Sequence, residues 1–260
     1  MRVYFITRFS IYDPNFRGFR ITKQYDPKEY ERRLFDKKRM DFKFDVFREV
    51  TFPSIINQGF KDWIWHIYIS DRLPTDYKKQ LFDLTKWHQN IKIFQVKDFK
   101  EFFEKTSSYD YEKPFATVRI DDDDALSPLF AEKLQKYEKN VGSVINFTDG
   151  RLAKYIHGKL KIGKKISEKN NAQGLAGIGI NIYACGRHSD INERYNVIYD
   201  YSPEMFLLMC SNYTDTKRGF TFLERNIERV KYLLNMIIKE PNKSPEILIN
   251  IYKKYIKKLR

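Results

Sequence analysis

The chain has 260 residues and a formal net charge of +14, and 42% of its residues are hydrophobic and 16% aromatic. That apolar content excludes a disordered chain. Two cysteines, Cys185 and Cys210, supply neither a disulfide framework nor a zinc-ligand pattern, which fits a reducing compartment. The basic excess implies an anionic partner, for which nucleic acid, an acidic membrane surface and phosphorylated small molecules all qualify.

The start, "MRVYFITRFS", has no apolar core followed by a small-residue cleavage site, and no apolar run approaches the roughly 20 residues that cross a bilayer, so a cytoplasmic protein is expected. "RVYFIT" (2–7) reads as a buried strand. Residues from about 40 to 58 read as helical, with Phe44, Phe47 and Val50 on one face and Pro53 marking a kink or restart. "WIWHIYIS" (63–70) is a second strand, and the next helix has Thr75 or Asp76 as its N-cap. "NIKIFQV" (90–96) and "FATVRI" (115–120) are the third and fourth strands. Ser127 is then expected to cap a helix with Pro128 at its first position and Phe130, Leu134 and Tyr137 along one side. This alternation predicts an α/β fold with a doubly wound, mostly parallel sheet. Beyond residue 140, "VGSVINFTDG" (141–150) and "YIHGKLKI" (155–162) suggest strands and a hairpin around Gly158. "GKKISEKNNAQGLAGIG" (163–179) suggests a mobile loop, and a second helical region is expected from about 203.

Four consecutive aspartates, Asp121 to Asp124, stand at the carboxyl end of the fourth strand. In an extended segment Asp121 and Asp123 would share one face and Asp122 and Asp124 the other. Two carboxylates about 6 Å apart repel by roughly 0.7 kcal/mol in water and about 3 kcal/mol at an effective dielectric near 20. A hard divalent ion, Mg²⁺ or Mn²⁺, bound through one or two carboxylates, waters and a substrate diphosphate relieves that repulsion. Ligands of open α/β sheets bind at this end of the strands. The competing reading is a solvated acidic turn, or an aspartate cap on the following helix, the role Asp124 would take.

"RIDDDDAL" (119–126) resembles the Arg-Leu-Asp-Asn-Asp-Asp-Ala-Leu motif of a bacterial rhamnosyltransferase family, and more broadly the Asp-x-Asp motif of GT-A-fold glycosyltransferases. "TRF" (7–9), "VFREVTFPSIINQ" (46–58), "WIWHIYISDRLP" (63–74) and "MFLLMCSNYTDTKRG" (205–219) are similar to other segments of that family, in the same order. The resemblance implies a GT-A-like domain over 1–220, with a donor half (1–125) and an acceptor half (126–220), followed by a helical extension at 221–260. It implies metal-dependent transfer of a sugar, with inversion, from a dTDP-, UDP- or GDP-linked donor to a glycan or lipid-linked acceptor hydroxyl. Asp123 becomes a metal ligand, with Asp121 or Asp122 shared between metal and ribose. Asp71 faces the nucleobase or is an ordinary turn residue. Arg8 and Arg119 suit diphosphate or base contacts, because guanidinium binds oxyanions bidentately, or form structural ion pairs with the aspartates. For the general base the candidates are Asp190 first and His188 second. His188 matches a histidine recurring in this part of the family's pattern and could equally ligate the metal. Where the family's late motif carries a histidine, this chain reads Cys210-Ser211-Asn212, so coordination there would fall to Asn212, His188 or water.

The C-terminal "SPEILINIYKKYIKKLR" (244–260) has the pattern of a basic amphipathic helix. It would either pack on the domain or rest on an anionic membrane surface through 245–260, which would make the protein peripheral at the inner face of the membrane. A nucleic-acid-binding or metal-dependent nucleic-acid-processing protein is the alternative that basic charge and interleaved aromatics allow. The lysines are spread along the chain rather than gathered, and no recognition-helix, zinc-finger or RNA-sheet signature is present. A GT-A-like domain that only binds glycan is a third reading, against which the intact acidic run weighs. An acidic pocket ringed by arginine would favour the nucleotide sugar.

Overall fold

The computed structural model describes residues 1–16, 22, 24–156, 158–185 and 188–211. The expected extension at 221–260, its basic segment 245–260 and Asn212 lie outside the described residues.

Strand β1 (Arg2–Phe9) is an interior strand of the main sheet. It pairs in parallel with β2 (Trp63–Ser70) on one side and β4 (Phe115–Arg119) on the other, and β2 pairs in parallel with β3 (Ile91–Val96). Strands β6 (Val144–Phe147), β9 (Leu175–Ile178) and β10 (Val197–Asp200) complete a seven-stranded sheet of order β10-β6-β9-β4-β1-β2-β3, in which β9 runs antiparallel to both neighbours. The fold is therefore mixed α/β around a mostly parallel sheet, as the strand–helix alternation predicts.

The central strands are apolar on both faces because both are covered. On one face Val3, Phe5 and Phe9 pack with Trp65, Ile67 and the residues Met40, Phe44 and Phe47. Those three come from helix α2 (Lys37–Val46), capped by Asp36, and the π-helical turn Phe47–Thr51 that continues it into α3 (Phe52–Ile56). Helix α1 (Pro27–Leu34), capped by Asp26, precedes them. On the other face Tyr4, Ile6 and Tyr68 pack with Phe99 and Phe102 of helix α5 (Phe99–Ser108). Among the described residues no helix is long and apolar enough to cross a membrane.

A second sheet, of order β5-β11-β7-β8, is formed by β5 (Ala125–Leu126), β7 (Asp149–Ile156), β8 (Lys159–Ser167) and β11 (Phe206–Met209). The hairpin at Gly158 is present between β7 and β8, with that glycine at φ +71°. The segment 163–179, expected as a mobile loop, instead continues β8 as far as Ser167 and supplies β9, leaving only 168–174 as the connection. Its glycines serve close packing: Gly174 has φ +81°, and a Cβ there would stand 2.6 Å from the Phe147 carbonyl oxygen. Gly174→Ala is therefore expected to destabilise the fold by about 1–3 kcal/mol, read as a lowered urea midpoint. An unchanged midpoint would mean that this turn relaxes freely. The helical region expected from about 203 is likewise corrected over the described residues: 206–209 form β11, because their backbone is paired on both sides, by β5 and β7.

Two helix starts also differ. Helix α4 (Thr75–Thr85) is preceded by Pro74 at the cap position, so Thr75 is already helical and Asp76 lies in the first turn. Helix α6 (Phe130–Leu134) begins after Leu129, whose N–H donates to the Ser127 hydroxyl (3.3 Å), and Pro128 precedes the helix rather than opening it. Phe130 and Leu134 are buried as expected.

Candidate active site

The carboxyl ends of β1 and β4 carry Arg8 and Arg119, and the chain leaves the main sheet immediately afterwards. Residues 121–124 form a turn closed by the Asp124 N–H on the Asp121 carbonyl oxygen (3.3 Å), and β5 then enters the second sheet. The acidic run is the passage between the two sheets. It is not extended, so the expected alternation of faces does not hold, and the four carboxylates separate into three environments.

Asp121 accepts from Arg8 Nη2 at 3.3 Å, and from Arg119 Nη2 and Gln173 Nε2 at 3.4 and 3.3 Å. Burial raises its pKa, but Arg119 and then Arg8 outweigh that and hold it well below the usual carboxylate range. Both guanidiniums lie over the ring of buried Tyr183, with centroid distances of 5.1 Å for Arg8 and 5.5 Å for Arg119. The aromatic face and the carboxylate fix the two cations side by side.

Asp122 and Asp123 share a partner that sequence reasoning missed. Lys43 of α2 places Nζ 2.6 Å from Asp122 Oδ1 and 3.0 Å from Asp123 Oδ2, and all three residues are buried. Burial would lower the lysine's pKa; the two carboxylates overcome that and raise it. Asp123 moves the other way from Asp121. Burial raises its pKa, Lys43 opposes this, and neighbouring Asp122 and Asp121 add to the rise.

Asp124 accepts from the Met209 N–H of β11 at 2.7 Å and from Gln173 Nε2. It caps no helix; it ties the acidic turn to the second sheet. Burial, then Asp123 and Asp121, raise its pKa.

His188 opens a 3₁₀ turn (His188–Glu193) and lies within electrostatic reach of Arg119, Asp121 and Arg8, so the fold brings it to this cluster. Its Nδ1 stands 2.8 Å from the Asn170 carbonyl oxygen. A carbonyl can only accept, so Nδ1 carries the proton and Nε2 keeps its lone pair. Burial lowers the ring's pKa, which favours that neutral form. Asn170 is itself held at φ +57°, with its N–H on Asn146 Oδ1 (2.7 Å) and its Oδ1 receiving the Tyr199 hydroxyl (3.1 Å). Asp190, two residues on, accepts from the adjacent Ser189 hydroxyl at 2.5 Å, and its side chain makes no other hydrogen bond among the described residues. Asp71 is exposed just past β2, its N–H on the Val96 carbonyl oxygen (2.9 Å). It is on the expected edge of the sheet without touching the cluster.

The donor set admits a hard divalent ion only in one way. Among the described residues no three His, Cys, Asp or Glu side chains are grouped to hold a metal by themselves. The oxygens of Asp121 and Asp124 are engaged, whereas Asp122 Oδ2 and Asp123 Oδ1 accept no hydrogen bond from a described residue. Two free carboxylate oxygens suit Mg²⁺ or Mn²⁺ completed by waters and substrate phosphates, not an all-protein cage.

Lys43 was legible as a lysine on the apolar stripe of a helix, three residues after Met40 and four before Phe47. Nothing local marks Gln173 or Tyr183, which reach the site from 49 residues beyond Asp124 and from the far side of β9.

No curated protein sequence matches this chain. Among solved structures, residues 1–349 of S. aureus TarS superpose with a TM-score of 0.49 at 8% identity, covering 96% of this chain and 69% of that one. The same segment in complex with UDP-GlcNAc gives 0.46 at 10%, covering 98% and 72%. The WbbM bifunctional glycosyltransferase gives 0.32 at 13%, covering 56% and 23%. The family model described as "Putative rhamnosyl transferase" matches residues 2–220, a span that contains every site residue named above. The chain therefore belongs to that rhamnosyltransferase family, and it is a glycosyltransferase.

Proposed function

We propose that the chain transfers a sugar from a nucleotide-sugar donor to the hydroxyl of a glycan or lipid-linked acceptor, with inversion and with help from a divalent ion. The observation that carries this reading is the convergence at the carboxyl ends of β1 and β4. Two guanidiniums over one aromatic ring pair with Asp121. Asp122 and Asp123 follow it in the turn, each with one oxygen that accepts no hydrogen bond from a described residue, and His188 lies within electrostatic reach of Arg8, Arg119 and Asp121. Two arginines paired with an acidic turn suit a diphosphate better than a polynucleotide backbone.

In this reading Arg8 and Arg119 bind the diphosphate and Asp121 holds them in register. Asp123 and Asp122 would hold Mg²⁺ or Mn²⁺, which when bound supplies charge neutralisation for the departing diphosphate. Asp71 would meet the nucleobase. His188 Nε2 takes the acceptor proton as the hydroxyl oxygen attacks the anomeric carbon. The bond from that carbon to the diphosphate oxygen breaks on the opposite face, and its electron pair leaves with the diphosphate. The fixed tautomer favours His188 over Asp190 for this task.

The test is thermal stability with dTDP-, UDP- and GDP-linked sugars, with and without Mn²⁺. At a hundredfold excess over Kd, a true donor raises stability by about 3 kcal/mol. Arg119→Ala is expected to weaken that donor's binding about tenfold or more, since a charge-assisted hydrogen bond contributes about 1.5–3 kcal/mol. Absence of any nucleotide effect, together with salt-sensitive oligonucleotide binding, would overturn the reading.

A further inference from the structure

Lys43 has a role that stability alone does not explain. Burying an ammonium and two carboxylates carries a desolvation penalty that their attraction often fails to repay, and apolar replacements of such groups are frequently neutral or better. On its own helical face the lysine is flanked by the apolar Met40, Phe44 and Phe47. A simple ion pair would need one carboxylate. Lys43 bridges two adjacent ones, taking a single oxygen of each at 2.6 and 3.0 Å and leaving the other oxygen of each without a hydrogen bond from any described residue. Around it, Asp121 pairs with Arg8 and Arg119, Asp122 and Asp123 pair with Lys43, and Arg39 also acts on the lysine through its charge.

We propose that Lys43 is a resident counter-cation of the acidic turn, which suppresses divalent-ion binding by the free enzyme and makes tight ion binding wait for the donor diphosphate. The proposal rests on the metal-assisted reading above. Its physical basis is like-charge repulsion. A dication held by Asp122 and Asp123 would share its two carboxylates with the Lys43 ammonium and be repelled by it, and the negative charge of a diphosphate would offset that repulsion. The lysine thus acts as a positioning residue, aligning the two carboxylates and setting the order in which ion and donor enter.

The test is Mn²⁺ binding followed by electron paramagnetic resonance on the full chain, first without nucleotide and then with UDP, dTDP or GDP. Lys43→Gln is expected to bind Mn²⁺ at least about tenfold tighter than the wild type without nucleotide, and to gain less when nucleotide is added. Lys43→Arg, which keeps the charge, should stay near the wild type. Should Lys43→Gln fail to fold, Lys43→Met/Asp122→Asn removes both members of the shorter pair, and it is expected to bind Mn²⁺ tighter than Asp122→Asn alone. A folded variant without the lysine that binds Mn²⁺ no tighter than its comparator overturns the proposal. Nucleotide stabilisation with no Mn²⁺ binding in any protein overturns it too, while leaving sugar transfer standing. Loss of both responses overturns the transferase assignment of this site as well.

Discussion

Asp123→Asn is expected to lower sugar transfer about a hundred- to a thousandfold while leaving the thermal midpoint unchanged or higher. The size of the kinetic loss is that of removing one preorganised electrostatic contact to a developing charge. The stability expectation comes from the environment of the carboxyl group. Burial first, and then Asp122 and Asp121, hold its pKa above the ordinary value despite Lys43. A carboxylate raised in the folded state contributes stability at low pH and loses it as pH rises through the folded value. At neutral pH its charge therefore works against the fold, and the amide removes that charge while keeping an oxygen that can accept from Lys43. A gain of about 1 kcal/mol would raise the midpoint by about 2–4 °C. Full activity in the variant would take Asp123 out of the machinery. A midpoint many degrees lower would show that the residue is structural.

The second large effect concerns acid stability and lies on the other face of the sheet. His66 of β2 is 0% exposed, neither ring nitrogen has a hydrogen-bond partner among the described residues, and Tyr109, Phe94 and Tyr4 surround it at ring-centroid distances of 4.3, 5.1 and 5.6 Å. Burial, assisted by the charge of Lys92, pulls its pKa down from 6.5 to about 3. Between these values the unfolded chain binds a proton that the folded chain does not, so stability falls as pH drops from 6.5 towards 3. At about 1.4 kcal/mol per pH unit the full loss is about 5 kcal/mol, of which about 3 kcal/mol accrues by pH 4.5. His66→Phe keeps the aromatic packing and removes the titration. Its unfolding free energy is expected to fall less between pH 7 and pH 4.5 than that of the wild type, by about 3 kcal/mol. Equal slopes for the two proteins in urea titrations over that range would show that the histidine is protonated within the fold.

The sequence alone determined the four parallel strands of the first 130 residues, the helical stretch near 40–58, the helix after Pro74, the hairpin at Gly158 and the position of the acidic run at the end of β4. Each depends on local periodicity or on a turn residue. The helices Pro27–Leu34 and Phe99–Ser108 were not read from it. It also carried the family, because five ordered segments survive without any knowledge of packing. Tertiary structure decided how the four aspartates are used. Asp122 meets a lysine 79 residues away and Asp123 shares it, Asp124 meets a backbone N–H 85 residues away, and Asp121 meets arginines from two strands and a glutamine from a third region. Two segments were misread for a related reason. The polar, glycine-rich 163–179 has the composition of a loop, and the apolar "FLLM" within 206–209 fits helix or strand equally. Both became strands because neighbouring strands offered hydrogen-bond partners that no local window contains. In this protein the chain sets which groups are available for chemistry, and packing between distant segments sets which of them remain free to do it.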